Sequence, residues 1–108
     1  MFGLQVTMKL KANAATELTR IAKSEIIPIL RRQKGFRDET IFIAGDRAEA
    51  IANSFWDTAE DAEAYSQTGY PEVLRTLANT IEGIPTVRTF NLVTSTFHRQ
   101  AVMKSIDF

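Results

Sequence analysis

The chain contains no cysteine and a single histidine, His98, and its 13 Lys and Arg are cancelled by 13 Asp and Glu. Each absence narrows the function. Without cysteine there is no disulfide framework and no thiol nucleophile, and one imidazole leaves few ligands for a metal site. A net charge of zero offers no general attraction to nucleic acid or to an anionic membrane. No apolar run approaches the ~20 residues needed to cross a bilayer. The opening MFGLQVTMKLK has no long apolar core followed by a small-residue cleavage site. A cytoplasmic protein without nucleic-acid or membrane partners is therefore expected.

A chain of 108 residues is one domain, and a domain of this size buries about two-thirds of the surface exposed by its unfolded chain. A large cavity would weaken so small a core unless a partner covered it. Residues 1–98 are expected to form that domain, with 99–108 (RQAVMKSIDF from 99) as a C-terminal tail or arm. Charge is uneven along the chain: residues 1–37 hold eight Lys and Arg against Glu17 and Glu25, whereas 38–66 hold eight Asp and Glu against Arg47. This pattern reads either as solvated faces or as a basic half meeting an acidic middle across a subunit contact.

Phe2, Leu4, Val6, Met8 and Leu10 alternate with more polar residues, which predicts a strand with one buried face. Asn13 then opens a helix carrying Leu18, Ile21, Ala22, Ile26 and Ile29 at helical spacing. Pro28 predicts a kink or an end nearby, and Gly35 a C-cap. Residues 36–44 and 48–56 read as a hairpin around Gly45, Asp46 and Arg47, apolar on both faces. Thr58 followed by Asp61 gives a capping pattern for a helix over 59–67. Gly69, Tyr70 and Pro71 predict a break, with a second segment from Pro71 stopped by Gly83. Residues 86–97 form the last strand. The order βαββαβ predicts a ferredoxin-like α+β sandwich, an antiparallel sheet with helices on one face. The hairpin's second apolar face then calls for a second copy of the chain.

The alternating first strand, the helix ending PILRRQKGF, the hairpin and the segment SFWDTAEDAEAY together resemble the antibiotic biosynthesis monooxygenase family over residues 2–97. The resemblance implies a homodimeric α/β barrel, with a small pocket between sheet and helices in each subunit. Some members of that family are cofactor-free oxygenases of phenols and quinols, and others degrade haem. The haem-degrading members use a strand tryptophan, a first-strand asparagine and a histidine on the second helix. Here Trp56 matches the first, but the first strand has no Asn and residues 57–97 have no His, so the iron ligand is missing.

What the resemblance implies is thus a monooxygenase without cofactor, acting on an aromatic, phenolic or quinol-type molecule. The alternative is a non-catalytic dimeric small-molecule-binding or stress-response module. Such oxygenation needs a dry aromatic pocket, a base and a group that favours an anion. The pocket-lining candidates are Trp56, Tyr65 and Tyr70 as walls, Arg75 and Arg88 as anion-stabilising groups, and His98 as the one side chain titrating near neutrality. Each also has a structural reading: Trp56 as core, the tyrosines as half-buried rings, the arginines as surface or cross-strand partners. Asn53, three residues before Trp56, falls on the opposite face of a regular strand from the tryptophan.

Overall fold

The structure, a computed structural model, describes residues 1–96. Four antiparallel strands, β1 (Phe2–Leu10), β2 (Phe36–Ile43), β3 (Glu49–Trp56) and β4 (Ile81–Asn91), form one sheet in the order β2-β3-β1-β4. Two helical regions pack on one face of it. This is the ferredoxin-like α+β sandwich expected from the element order. The first strand begins and ends as its alternation predicts, and Leu4, Val6, Met8 and Leu10 are buried beneath the helices. His98, Phe97 and the 99–108 segment lie outside the described residues.

The first helical region is continuous past its proline. Ala15–Ile21 is α-helical, Ala22–Ile26 forms a π turn, and Ile27–Arg31 resumes the α-helix. Pro28 has no N–H to give to a preceding carbonyl. The wider turn just before it, in which the Ile27 N–H reaches the Ala22 carbonyl, absorbs that loss without ending the helix. Leu18, Ile21, Ile26, Ile29 and Leu30 therefore all reach the core. Asn13 does not cap this helix. It takes a left-handed φ of 61°, and Ala14 holds the N-cap position.

The second helix, Ala59–Leu77, starts as expected, with the Thr58 hydroxyl accepting from the Asp61 N–H at 3.1 Å. The expected break at Gly69–Pro71 does not occur, and Pro71 lies inside the helix. The buried stripe of Ala62, Tyr65, Gly69, Val73 and Leu77 explains the difference, because one continuous helix buries all five and a break would lift the last two off the sheet. Gly69 serves packing, not termination. A Cβ there would stand 2.7 Å from the Tyr65 ring and 3.0 Å from the Gln33 amide.

The last strand also starts earlier than the expected 86. Ile81 already pairs with Leu10, Gly83 sits within the strand at φ 68°, and the β1–β4 register shifts between Thr7 and Lys9. The strand ends at Asn91.

Among the described residues, the other face of the sheet has no helix over it. It carries Gln5, Thr7, Thr40, Phe42, Ile51, Asn53, Phe55, Arg88 and Phe90, with Phe42 61% and Phe90 42% exposed. Gln5 donates to the Asn53 side-chain oxygen at 3.1 Å across this face.

Gly35 joins the first helix to β2 at φ 79°, and a Cβ built there would lie 2.1 Å from Oδ2 of Asp61. Its carbonyl accepts from the Asp57 N–H at 2.8 Å. Gly35→Ala should therefore lose about 1–3 kcal/mol of stability in chemical denaturation. Gly45→Ala, where nothing lies within 4 Å of the new Cβ, should change stability by less than about 0.5 kcal/mol. Equal effects at the two positions would show that the Gly35 junction is not constrained as described.

Candidate functional site

Between the sheet and the helices lies a small cavity, with about 30 Å³ open to the centre of a water molecule. That is room for about two waters. Leu4, Val6 and Met8 of β1 form its floor, Leu18 and Ile26 close it from the first helix, and Val73 and Leu77 from the second. The remaining wall is where the polar atoms are: Glu39 on β2, Ser54 on β3, and Tyr65 and Tyr70 on the second helix.

Glu39 faces inward because β2 carries a bulge. Phe36 pairs with Trp56, but the next pair is Asp38 with Phe55, so one extra residue is inserted between them. Glu39 then stands opposite Ser54, and Ile41 opposite Ala52, both on the helix-covered face. Its Oε1 is buried and has no hydrogen-bond partner among the described residues. Burial, with Asp38 as a second contribution, pushes its carboxyl up to about 9. The group is therefore a neutral acid at pH 7. Burial, with Glu39 and then Tyr70 adding to it, also raises the Tyr65 hydroxyl, and burial alone raises that of Tyr70. Among the described residues, no Lys, Arg or His lines the cavity.

Trp56 stands behind this wall. Its side chain is fully buried and stacks on Tyr65 with ring centres 4.9 Å apart and planes at 29°. Phe36 meets it edge-on at 5.6 Å. The indole N–H donates to the Ser54 hydroxyl at 2.8 Å, and that hydroxyl is a long 3.5 Å from the Leu4 carbonyl. Tyr65 and Tyr70 are neighbours at 6.1 Å between ring centres. The sequence candidates thus divide. Tyr65 and Tyr70 line the cavity, and Trp56 orients Tyr65 from behind.

Arg75 is exposed on the second helix and away from the lining. Arg88 lies on the open face of the sheet, paired in register with Gln5, its guanidinium 5.0 Å from the centre of the Phe90 ring. Asn53 is on that open face too. On the covered face, the residues of β3 before Trp56 are Ala50, Ala52 and Ser54, none of them an amide. Glu39 was not among the sequence candidates. The signal that could have found it is a lone carboxylate beside Ile41 and Ile43 at period two, but the bulge hides its parity when counted from Phe36.

No family model matches this chain, and no curated protein matches its sequence. Solved structures do match its fold. A monooxygenase from the gene ActVA-Orf6 of Streptomyces coelicolor, in complex with nanaomycin D, superposes with a TM-score of 0.73 at 15% identity, covering 87% of this chain and 88% of the other. SnoaB, a cofactor-independent oxygenase from Streptomyces nogalater, gives 0.68 at 15%, covering 88% and 95%. A provisionally named antibiotic biosynthesis monooxygenase from Nitrosomonas europaea gives 0.71 at 14%, covering 87% and 100%. The chain therefore has the fold of the antibiotic biosynthesis monooxygenases, the family its sequence resembles. The same fold is found in a Nitrosomonas europaea protein of unknown function, with a TM-score of 0.73 at 12% identity over 88% of this chain and 91% of the other.

Glu39 ties the site to folding. Between the ordinary carboxylate value of 4.5 and about 9, the unfolded chain has released a proton that the folded chain still holds. Stability should therefore fall as pH rises through that window and level off above it. Denaturant titrations at pH 5, 7 and 9 should show the wild type weakening steadily relative to Glu39→Gln, which has no proton to lose. Parallel profiles for the two proteins would show that Glu39 is ionised in the fold.

Proposed function

We propose that the protein is a small cofactor-free monooxygenase of neutral phenol- or quinol-type aromatics, working as a homodimer. The observation that carries this is the cavity: an apolar enclosure between sheet and helices, walled by two tyrosine rings and containing one isolated acid. The solved structures of like fold support the reaction class, since two of them are named as a monooxygenase and a cofactor-independent oxygenase.

The chemistry balances without a reductant. An activated ring CH2, acidified by its conjugated ring, loses a proton to solvent hydroxide, since Glu39 is itself protonated, and the resulting carbanion passes one electron to O2. The radical pair combines to a hydroperoxide, and loss of water leaves a carbonyl. One oxygen atom enters the product and the other leaves as water, and all four electrons come from the substrate carbon. Water exclusion protects the carbanion from reprotonation, which the apolar walls provide. A single-ring substrate exceeds the present opening, so binding requires Tyr70, partly buried in the cavity wall, to turn aside.

The open sheet face supports the dimer. Phe42, Phe90, Ile51 and Phe55 share a face that no helix covers, and an exposed sheet face of this kind is removed from water most simply by its own two-fold copy. The same barrel without chemistry, a binding module, has one observation in its favour: among the described residues, no Lys, Arg or His lines the cavity in front of Trp56.

Two measurements test these statements. With anthrone-type substrates, which carry an activated ring CH2, and no added metal, flavin or reductant, the protein should consume one O2 per carbonyl formed, with label from 18O2 divided between product and water. Binding that changes Trp56 fluorescence with no oxygen uptake would establish the binding module instead. For the assembly, mass in solution at micromolar protein should be twice the chain mass of 12.1 kDa, and Phe42→Glu should give monomers. A wild-type monomer under those conditions would sink the barrel.

A further inference from the structure

From the placement of Glu39, we infer that the cavity selects neutral hydroxylated aromatics and rejects their anionic counterparts, with Glu39 as the polar anchor for the ligand hydroxyl. This rests on the cavity being a ligand site, but not on its being an oxygenase. A buried carboxyl oxygen without a partner is costly, about 1–3 kcal/mol for a polar group left unsatisfied. Here the bulge turns Glu39 inward to line the cavity, and its Oε1 is buried there without a partner among the described residues. A phenolic hydroxyl entering the cavity relieves this, because it both donates and accepts, as does a protonated carboxyl.

The rest of the lining fixes the charge preference. The facing groups are the Ser54 hydroxyl from β3 and the phenols of Tyr65 and Tyr70 from the second helix, all neutral, and the first helix and β1 contribute only apolar side chains. The nearest additional charge on the same strand is Asp38, itself acidic. An aromatic carboxylate or phosphate would thus be desolvated without any counter-charge. Burial, which keeps Glu39 protonated at neutral pH, leaves the site with a donor but, among the described residues, no cation.

The test is a binding comparison at pH 7, using heat of binding and Trp56 fluorescence, with hydroquinone, phenol and benzoate as probes. The wild type should bind hydroquinone and phenol and leave benzoate unbound at the same concentrations. Glu39→Gln, which keeps a donor and an acceptor, should hold hydroquinone within about threefold of wild type, and Glu39→Leu should weaken it by about tenfold or more. Retention by Glu39→Gln establishes that the pocket is intact.

The proposal is overturned if Glu39→Leu binds hydroquinone as tightly as wild type, if benzoate binds as well as phenol, or if neither phenol nor hydroquinone binds. Oxygen uptake separates this from the reaction assignment. The predicted binding pattern without uptake removes the oxygenase and leaves the anchor. Uptake unchanged in Glu39→Leu removes the anchor and leaves the oxygenase.

Discussion

The stacked pair of Trp56 and Tyr65 joins the end of β3 to the second helix, and much of the site depends on it. The indole is fully buried, held face-on by Tyr65, edge-on by Phe36, and by its N–H to Ser54. An aromatic pair of this kind is worth roughly 0.5–1.5 kcal/mol beyond the area it buries. Its more specific effect is geometric. Tyr65 is pinned between Trp56 and the close approach of Gly69, so one face of the cavity wall is rigid, whereas Tyr70 is half-exposed. The order of elements then follows: Thr58 caps the helix two residues after Trp56, and Gly35 admits Asp61 of its first turn against the end of the other helix.

A domain this small has little stability to spare, on the order of 5–15 kcal/mol in total. Against that background an apolar cavity and an unsatisfied buried acid are both unfavourable choices, since a leucine at position 39 would fill the same place with no polar atom to desolvate. The two features occur together, one bulge creating both the inward turn of Glu39 and its distance from any partner. Local features that weaken a fold without helping any neighbour concentrate at functional sites. That coincidence gives Glu39 greater functional weight than Trp56, whose burial and contacts are fully explained by packing.

Most of the fold was legible in the sequence, and the failures share a physical cause. The alternation of β1, the hairpin turn, the Thr58 cap and the element order all express local periodicity or turn chemistry, and all appear where expected. Pro28, Pro71 and Gly69 were read by their local preferences, and in each case the buried stripe of the helix prevailed over the preference. The site was less legible. Tyr65 and Tyr70 were found because aromatic residues near a strand end and helix start have few other places to go. Arg75 and Arg88 were named for their charge alone, and charge says nothing about which face a residue occupies. Glu39 was missed because parity is lost across a bulge that sequence periodicity does not reveal.

Parity also determines how the two faces of the sheet divide their roles. Asn53 and Arg88, polar groups that an oxygenase site might have used, lie with Gln5 on the uncovered face, where Gln5 and Asn53 bond to each other. The covered face keeps Ser54 and Glu39 as its polar atoms on β2 and β3. A one-residue slip would exchange the two sets completely, because successive side chains on a strand point to opposite faces. Relative to Phe36, the β2 bulge performs that exchange for the whole strand beyond it: Glu39, Ile41 and Ile43 turn inward, and Thr40 and Phe42 turn to the open face. A single inserted residue thus supplies the cavity with its acid and the open face with its most exposed aromatic ring.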